Sequence, residues 1–513
     1  MGTELRTRGL SDAGAESEGH DASLQICLDD DTLFGNDAAE DENRSVLMSY
    51  FVDQPAFSKF LDRRRRLMIA TGRKGMGKSA LLVRCAELLR SEDAEGTLVV
   101  KRVPSQLVAL REPPNTEDHS LLENYWKQVI CGAINMELAE RIGFAWTDNQ
   151  LALVESAELA GFTERNLVGS LMSRLVSKIK MGAVELAPVA RPSANHEELL
   201  KRVDRERGKS IWFLLDDLDA KFQNTARQQA FISAFLPACR SLVTDTQGIG
   251  IRATLRSDVW ASLTSTAEDI DKVEQYRTKI QWSATQQTRL LAQRILAYAQ
   301  RVHPESDVAK HWDPERHADE LIQLAFAERM RWGRSLVPAE HVVRILAGGR
   351  PRWMAQLCRD AGSHAANRHA KRIEKRDVDQ AMTEFGTRRL SDLYKEYQYQ
   401  FANLRQLVEC FAGGPRRFTT QALLDWIGDR YTRRVQGADM LMIDGAPFKE
   451  DLQLARMLYK CGFINGSNEA PDLARPEFIG FDVRPDLLKV ETNLDDGMAW
   501  EVQPAYRNVL GIR

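Results

Sequence analysis

Apolar positions along this chain follow two rhythms, and in the first half the two alternate. Short, nearly continuous apolar runs occur at Arg66–Thr71, Gly96–Val103, Ser210–Leu215, Gln247–Arg256 and Thr278–Trp282. Runs of that length predict strands buried on both faces, as in a parallel sheet. Between them, Ser79–Arg90 and His119–Leu138 repeat apolar residues at three- and four-residue spacing. In the second stretch Leu121, Leu122, Tyr125, Trp126, Val129 and Ile130 share one helical face. Strands alternating with helices predict an α/β core around a parallel sheet. From Gln286 to Met382 the pattern is helical throughout, with Leu290, Leu291, Ile295 and Tyr298 on one face and Val342, Val343 and Leu346 on another. Beyond Leu390 the rhythm changes. Three helices (Leu404–Phe411, Thr420–Ile427, Pro447–Cys461) precede two strands (Gly462–Ile464, Glu477–Val483) and a closing strand and helix (Trp500–Leu510), a winged helix-turn-helix pattern.

The expected organisation is therefore a leader at 1–32, a core at 33–285, a helical lid at 286–389 and a winged-helix-like domain at 390–513. Met1–His20 holds almost no large apolar residue and is expected to be disordered. Leu33-Phe34-Gly35 marks the expected start of order, either beside a ligand or as a core-packing strap. Ala38–Phe60 reads as helices that offer Met48, Tyr50, Phe51, Phe57 and Phe60 for packing. A helical insertion at about 105–208, including Asn166–Lys180 and a proline-marked loop at Ala187–Pro192, exceeds what a compact core needs.

The first run leads into Gly72-Arg73-Lys74-Gly75-Met76-Gly77-Lys78-Ser79, the pattern G-x-x-x-x-G-K-S, and Ala80 opens the helix after it. Strand, glycine loop and helix together make a phosphate-binding loop (Walker A). Its backbone N–H groups and the helix N-terminus favour phosphate oxygens. Lys78 is placed to meet β- and γ-phosphates, and the Ser79 hydroxyl to ligate Mg²⁺. The run Ser210–Leu215 ends in Asp216-Asp217-Leu218-Asp219, a Walker B pattern. Asp216 is expected to hold Mg²⁺, and Asp217 to polarise the attacking water. Asp219 is the alternative base, or a helix cap.

Two arginines extend the site. A strand at Gln247–Arg256 is expected between the first and Walker B strands. Thr254 and Arg256 share one of its faces, and Arg256 is the expected γ-phosphate sensor; the competing reading is a salt bridge with Asp258 or Asp271. Gly348-Gly349-Arg350-Pro351-Arg352-Trp353 opens a helix, and Arg352 in its first turn is the expected second sensor, against a solvent-facing role. Asp377 is expected to cap the last lid helix. Arg63–Arg66 is read as a cationic helix end rather than a phosphate contact.

Composition narrows the class. The chain has 513 residues, a formal net charge of −3 and 43% hydrophobic residues. That balance gives no global basic bias towards nucleic acid. Seven scattered cysteines include no C-x-x-C pair, which argues against a zinc site or disulfide framework and fits a reducing cytoplasm. No apolar run reaches membrane-spanning length, and no secretory signal is read at the start.

The series GRKGMGKS, FLLDDLD, ATLRSDVW, GGRPRW and the tail WEVQPAYRNVL resembles a bacterial P-loop ATPase family first catalogued from a cyanobacterial genome. The family is of the AAA+/STAND-like (ASCE) class and is more distantly similar to KAP and Cdc6/Orc-type ATPases. The resemblance spans nearly all of the chain after the leader. It implies ATP with Mg²⁺ held between an α/β domain and a helical lid, hydrolysis that drives switching, and sensor roles for Arg256 and Arg352. Asp217 stands where many relatives carry Glu. The leading expectation is a cytoplasmic ATPase switch, homo-oligomeric and signalling to a separately encoded protein effector, with anti-phage defence as a setting. The alternative is a DNA-binding initiator or loader that uses Arg416, Arg417, Arg430, Arg433 and Arg434 on the winged-helix module. Glu450 and Asp451 on its third helix weigh against DNA.

Overall fold

A computed structural model describes residues 24–92, 97–142, 210–220, 222–246, 248–264, 273–435, 441–447, 449–468, 477–489 and 498–513. The segments read as Asn166–Lys180 and Ala187–Pro192 lie outside the described residues.

The core sheet contains β1 (Leu67–Thr71), β2 (Thr97–Arg102), β3 (Ser210–Leu215), β4 (Ile249–Leu255) and β5 (Arg277–Lys279). They pair in parallel in the order β2-β3-β4-β1-β5, so β4 lies between β1 and β3 as the sequence requires. Helices cover both faces, which is why the strands read as continuous apolar runs. On one face α5 (His119–Ile142) packs on α6 (Ala226–Asp245). There the Trp126 ring lies 4.6 Å from that of Phe231, tilted by 39°, and donates its indole N–H to the Phe231 carbonyl at 2.8 Å. On the other face lie α2 (Pro55–Leu61) and α3 (Lys78–Glu92), with Phe57, Phe60, Leu81, Leu82 and Leu89 buried against Met68, Trp212 and Leu214. Two further short helices, α1 (Arg44–Ser49) and α4 (Pro104–Leu110), flank this core.

Arg252 is wholly buried in β4, an exception to the apolar rule that its partners explain. Its guanidinium lies 4.5 Å from the Trp212 ring and donates to the carbonyls of Phe60 (2.6 Å) and Asp62 (2.9 Å), tying α2 to the sheet. Arg63 and Arg66 are equally structural: Arg63 reaches the Thr97 and Ser210 hydroxyls, and Arg66 the Thr246 carbonyl.

The α7 helix (Ser257–Thr264) follows β4. The lid comprises α8 (Ala284–Val302), α9 (Asp307–His311), α10 (Ala318–Ala325), α11 (Ala339–Leu346), α12 (Pro351–Asn367) and α13 (Lys375–Tyr397). It is not all helical. An antiparallel hairpin, β6 (Arg329–Trp332) with β7 (Ser335–Pro338), interrupts it, turning at Gly333. Asp377 is not the cap of α13 either. It sits one turn in, where its carboxylate accepts from the Glu374 N–H and from Arg368. Packing starts before the expected Leu33, because Ile26 and Leu28 are already buried in the lid core. Leu33 and Phe34 are fully buried there, Phe34 at 5.8 Å from Phe326, which is the strap rather than the ligand role.

The C-terminal module has α14 (Leu404–Glu409), α15 (Thr420–Ile427) and α16 (Asp451–Cys461). A small hairpin, β9 (Met442–Ile443) with β10 (Ala446–Pro447), precedes α16. The module's sheet runs β12-β11-β13-β8, where β11 is Ile464–Asn468, β12 Glu477–Ile479, β13 Ala499–Val502 and β8 Arg417–Thr419. The sequence reading found β12 and β13, met β11 only at Ile464, the last residue of the strand it expected from Gly462, and missed β8. The closing α17 (Pro504–Arg507) packs on α13, where Gly386 leaves space for the Ala505 carbonyl.

Candidate nucleotide site

β1, an interior strand, delivers the phosphate loop from its C-terminal end, and the Gly72 N–H donates to the Leu255 carbonyl of β4 at 3.3 Å. Gly75 (φ +82°) and Gly77 (φ +96°) take a left-handed backbone that side chains resist. A methyl group placed on Gly75 would also lie 3.2 Å from Arg352 Cβ. The Trp282 indole N–H donates to the Met76 carbonyl at 2.9 Å and pins the loop from the far side. α3 starts at Lys78, so Ser79 and Ala80 occupy its first turn and their N–H groups face the loop. Lys78 is buried, and its Nζ donates to the carbonyls of Gly72 (3.1 Å) and Arg73 (3.3 Å).

β3 ends beside this loop in the acidic cluster. Asp216 is buried and accepts a 2.6 Å bond from the Thr254 hydroxyl. The same hydroxyl accepts from the Asp217 N–H at 2.9 Å. Thr254 therefore sets the Asp216 rotamer and the turn after it. Sequence reading placed Thr254 on the right face but gave it no role; the signal was a polar residue in a buried strand. Asp217 takes a left-handed conformation (φ +49°), which Asp tolerates better than most residues. Desolvation and the Asp216 charge raise its carboxyl, while Lys78 and Arg352 pull the other way. Asp219 is buried, and burial raises its carboxyl to about 6 despite Arg256 and Lys78 nearby. Its Oδ2 accepts from the Arg256 N–H at 3.2 Å, and its Oδ1 has no hydrogen-bond partner among the described residues. Phosphate loop, acidic strand end and strand order now stand together. The fold is that of an α/β P-loop NTPase.

The expected sensors of this NTPase fold divide. Arg352 lies on the phosphate loop: its N–H donates to the Gly75 carbonyl at 3.2 Å, and its Nε to the Asp37 carbonyl at 2.7 Å. Asp37, which sequence reading did not single out, anchors the strap to Arg359 and to Gln356 (2.5 Å) of α12. Arg256 is buried in an ion-pair cluster. Nη2 meets Asp258 at 2.5 Å, Nε lies 3.5 Å from Asp219 and 3.6 Å from Glu396, and the guanidinium covers the Tyr397 ring. The salt bridge weighed against the sensor role is thus present, in the interior rather than at the surface. Burial alone would raise Asp258, but Arg256 holds it down at about 2.

The residues present fit ATP with Mg²⁺. Two glycines hold the loop open where a side chain would strain it, and Lys78 and the start of α3 supply positive charge. Mg²⁺ keeps several waters and needs only one or two protein ligands beside phosphate oxygens. Ser79 at the start of α3 and the buried Asp216 would supply such a pair, and Asp219 Oδ1 is a buried acceptor with no hydrogen-bond partner among the described residues. Among the described residues no group of three or more His, Cys, Asp or Glu side chains is placed to hold a metal ion.

No family model matches the chain. It is 22% identical over 451 residues to a protein of 80.3 kDa assigned to the transposon gamma-delta of Escherichia coli (strain K12), covering 84% of this chain. The match spans only 61% of that relative's length. Among solved structures, the chain is similar to the ORC2 protein of Aeropyrum pernix in ADPNP–ADP complexes, at 12% identity and TM-score 0.39, with 87% of each chain covered. It is also similar to the ORC1 protein of Aeropyrum pernix in complex with DNA, at 14% identity and TM-score 0.35, covering 91% of this chain and 96% of that one. Likeness this loose assigns neither activity nor partner. Among the described residues no helix is long and apolar enough to cross a membrane.

Proposed function

We propose that the chain is an ATP-binding and ATP-hydrolysing switch that passes its nucleotide state to a partner. The observation that carries the reading is that Lys78 and Arg352 bond carbonyls of one glycine loop while the charges of both act on Asp217, which follows Asp216 at the end of β3. Bound Mg²⁺ would supply charge neutralisation at the phosphates, held by Ser79 and Asp216. Lys78 leaves the Gly72 and Arg73 carbonyls to meet the incoming negative charge. Thr254 keeps Asp216 oriented, so that carboxylate does not need to reorganise. Asp217 orients water and accepts its proton; Asp219, already biased towards its protonated form, is the reserve base. Arg352 joins the lid to the loop and reports the loop's occupancy. Support for a separately encoded effector, for homo-oligomerisation and for an anti-phage setting comes from the family resemblance alone.

A DNA-binding initiator or loader is the second reading. Arg416, Arg417, Arg430, Arg433 and Arg434 are all exposed on the C-terminal module. Against it, the third helix has little to offer a groove. Arg456 is spent on the Leu487 and Pro485 carbonyls, and Lys460 is buried on Asp444. ATP turnover by the purified chain, with and without duplex DNA at two salt concentrations, separates the two. The switch predicts turnover indifferent to DNA. DNA stimulation that collapses with salt would favour the loader.

A further inference from the structure

One carboxylate of the C-terminal module reaches the nucleotide site. Asp482 lies in the turn after β12, and its Oδ2 meets Nε of the phosphate-loop Arg73 at 2.6 Å. Its Oδ1 accepts a hydrogen bond from the Ser257 hydroxyl, at the start of α7. A single side chain therefore ties the phosphate loop to the start of α7, and Asp482 stands 225 residues after Ser257 in the sequence. Arg73 is withdrawn from water, with a side chain only 11% exposed. Its Nη1 faces the backbone of Gly462, the left-handed cap of α16, where a methyl group would approach it to 2.5 Å. Its Nη2 is buried without a hydrogen-bond partner among the described residues. The guanidinium thus retains an unmet donor beside a loop shaped for phosphate.

The surroundings repeat this linkage. Gln400, just past α13, reaches Asp258 at 3.4 Å, and Glu396 reaches Arg256. A narrow cleft lined by Lys74, Gly75, Arg350, Arg352, Glu396 and Tyr506 separates the loop from the lid end and the closing helix. The Tyr506 hydroxyl there is buried and has no partner among the described residues.

We propose that Asp482 is the positioning residue through which the C-terminal module reads the phosphate loop, acting as an internal anion that competes with nucleotide phosphate for Arg73. This rests on the ATP-site reading above. A polyphosphate on the loop places negative charge near Asp482 and gives Arg73 a stronger acceptor. Module docking and nucleotide binding then oppose each other, and the opposition is reciprocal. Removing the Asp482 charge tightens nucleotide binding, and bound nucleotide loosens the turn that carries Asp482.

The test uses the full chain and a fluorescent, non-hydrolysable ATP analogue with Mg²⁺, titrated into wild type, Asp482→Asn, Ser257→Ala and Lys78→Ala. Asp482→Asn is expected to bind about ten-fold tighter, within the usual range of such couplings, and Ser257→Ala tighter by a smaller factor. Hydrogen exchange over 477–487 in wild type is expected to speed up when the analogue binds. Unchanged or weaker binding by folded Asp482→Asn, or unchanged exchange in that segment, overturns the proposal. Should Asp482→Asn not fold, Ser257→Ala and the exchange measurement decide alone. Binding lost in Lys78→Ala but unaltered in Asp482→Asn removes this proposal and leaves the ATP site standing. Binding retained in Lys78→Ala removes the ATP-site reading itself.

Discussion

At the scale of single residues, the acidic cluster makes the sharpest predictions. Asp219 is a buried acid raised to about 6 from an ordinary value of 3.8. Its fold favours the protonated form, so ionising it costs stability. The cost is absent below about pH 4 and complete above about pH 6. Asp219→Asn should therefore gain stability over wild type as pH rises from 4 to 7.5, by about 1–3 kcal/mol at about 1.4 kcal/mol per pKa unit. Urea midpoints at the two pH values check this; a difference that ignores pH would contradict it. Asp217→Asn tests a different role. It keeps shape and removes the charge that accepts a proton, so single-turnover assays should show ATP retained with hydrolysis reduced at least about 100-fold. Hydrolysis that persists would hand the base role to Asp219. Asp216, Asp217 and the loop were readable in the sequence because local spacing defines them. Of the environment of Arg256 only the Asp258 ion pair was, since Glu396 reaches Arg256, and Gln400 reaches Asp258, from more than a hundred residues away.

Among elements, β3 and β4 show how tightly the site's platform is packed. Trp212 and Gly250 are register partners, and a methyl group on Gly250 would fall 2.4 Å from the Trp212 ring. That ring is also the surface on which Arg252 rests. Gly250→Ala should therefore destabilise the chain by about 1–3 kcal/mol, as overpacking does. Combining it with Trp212→Leu should cost less than the two single changes added together. Thermal or urea unfolding of the three variants reads this directly, and strict additivity would contradict it. The strands were readable because continuous burial writes itself as continuous apolar sequence. The β6–β7 hairpin was not: Arg329-Met330-Arg331-Trp332 alternates polar and apolar, but over only four residues between two helices, and in β7 only Val337 is buried while Leu336 is exposed. β8 escaped for a related reason: it has three residues, and only Phe418 is buried.

For the whole molecule, the P-loop core, the lid and the C-terminal module meet around one loop. The chain order of motifs announced the core, and helical periodicity announced most of the lid. What the sequence did not announce was the meeting of the two ends. Asp37 anchors the strap to the lid helix that carries Arg352, and Asp482 ties the last module to Arg73. Neither residue belongs to a motif, and each matters only through tertiary contact. The central claim, that this loop is an ATP site, is tested most directly by calorimetric titration of Mg-ATP into wild type and Lys78→Ala. The account predicts one ATP per chain for wild type. Loss of a charge-assisted contact worth about 1.5–3 kcal/mol predicts weakening of about 10- to 100-fold or more in the variant. Equal affinity in the two proteins, or no heat with wild type, would contradict it.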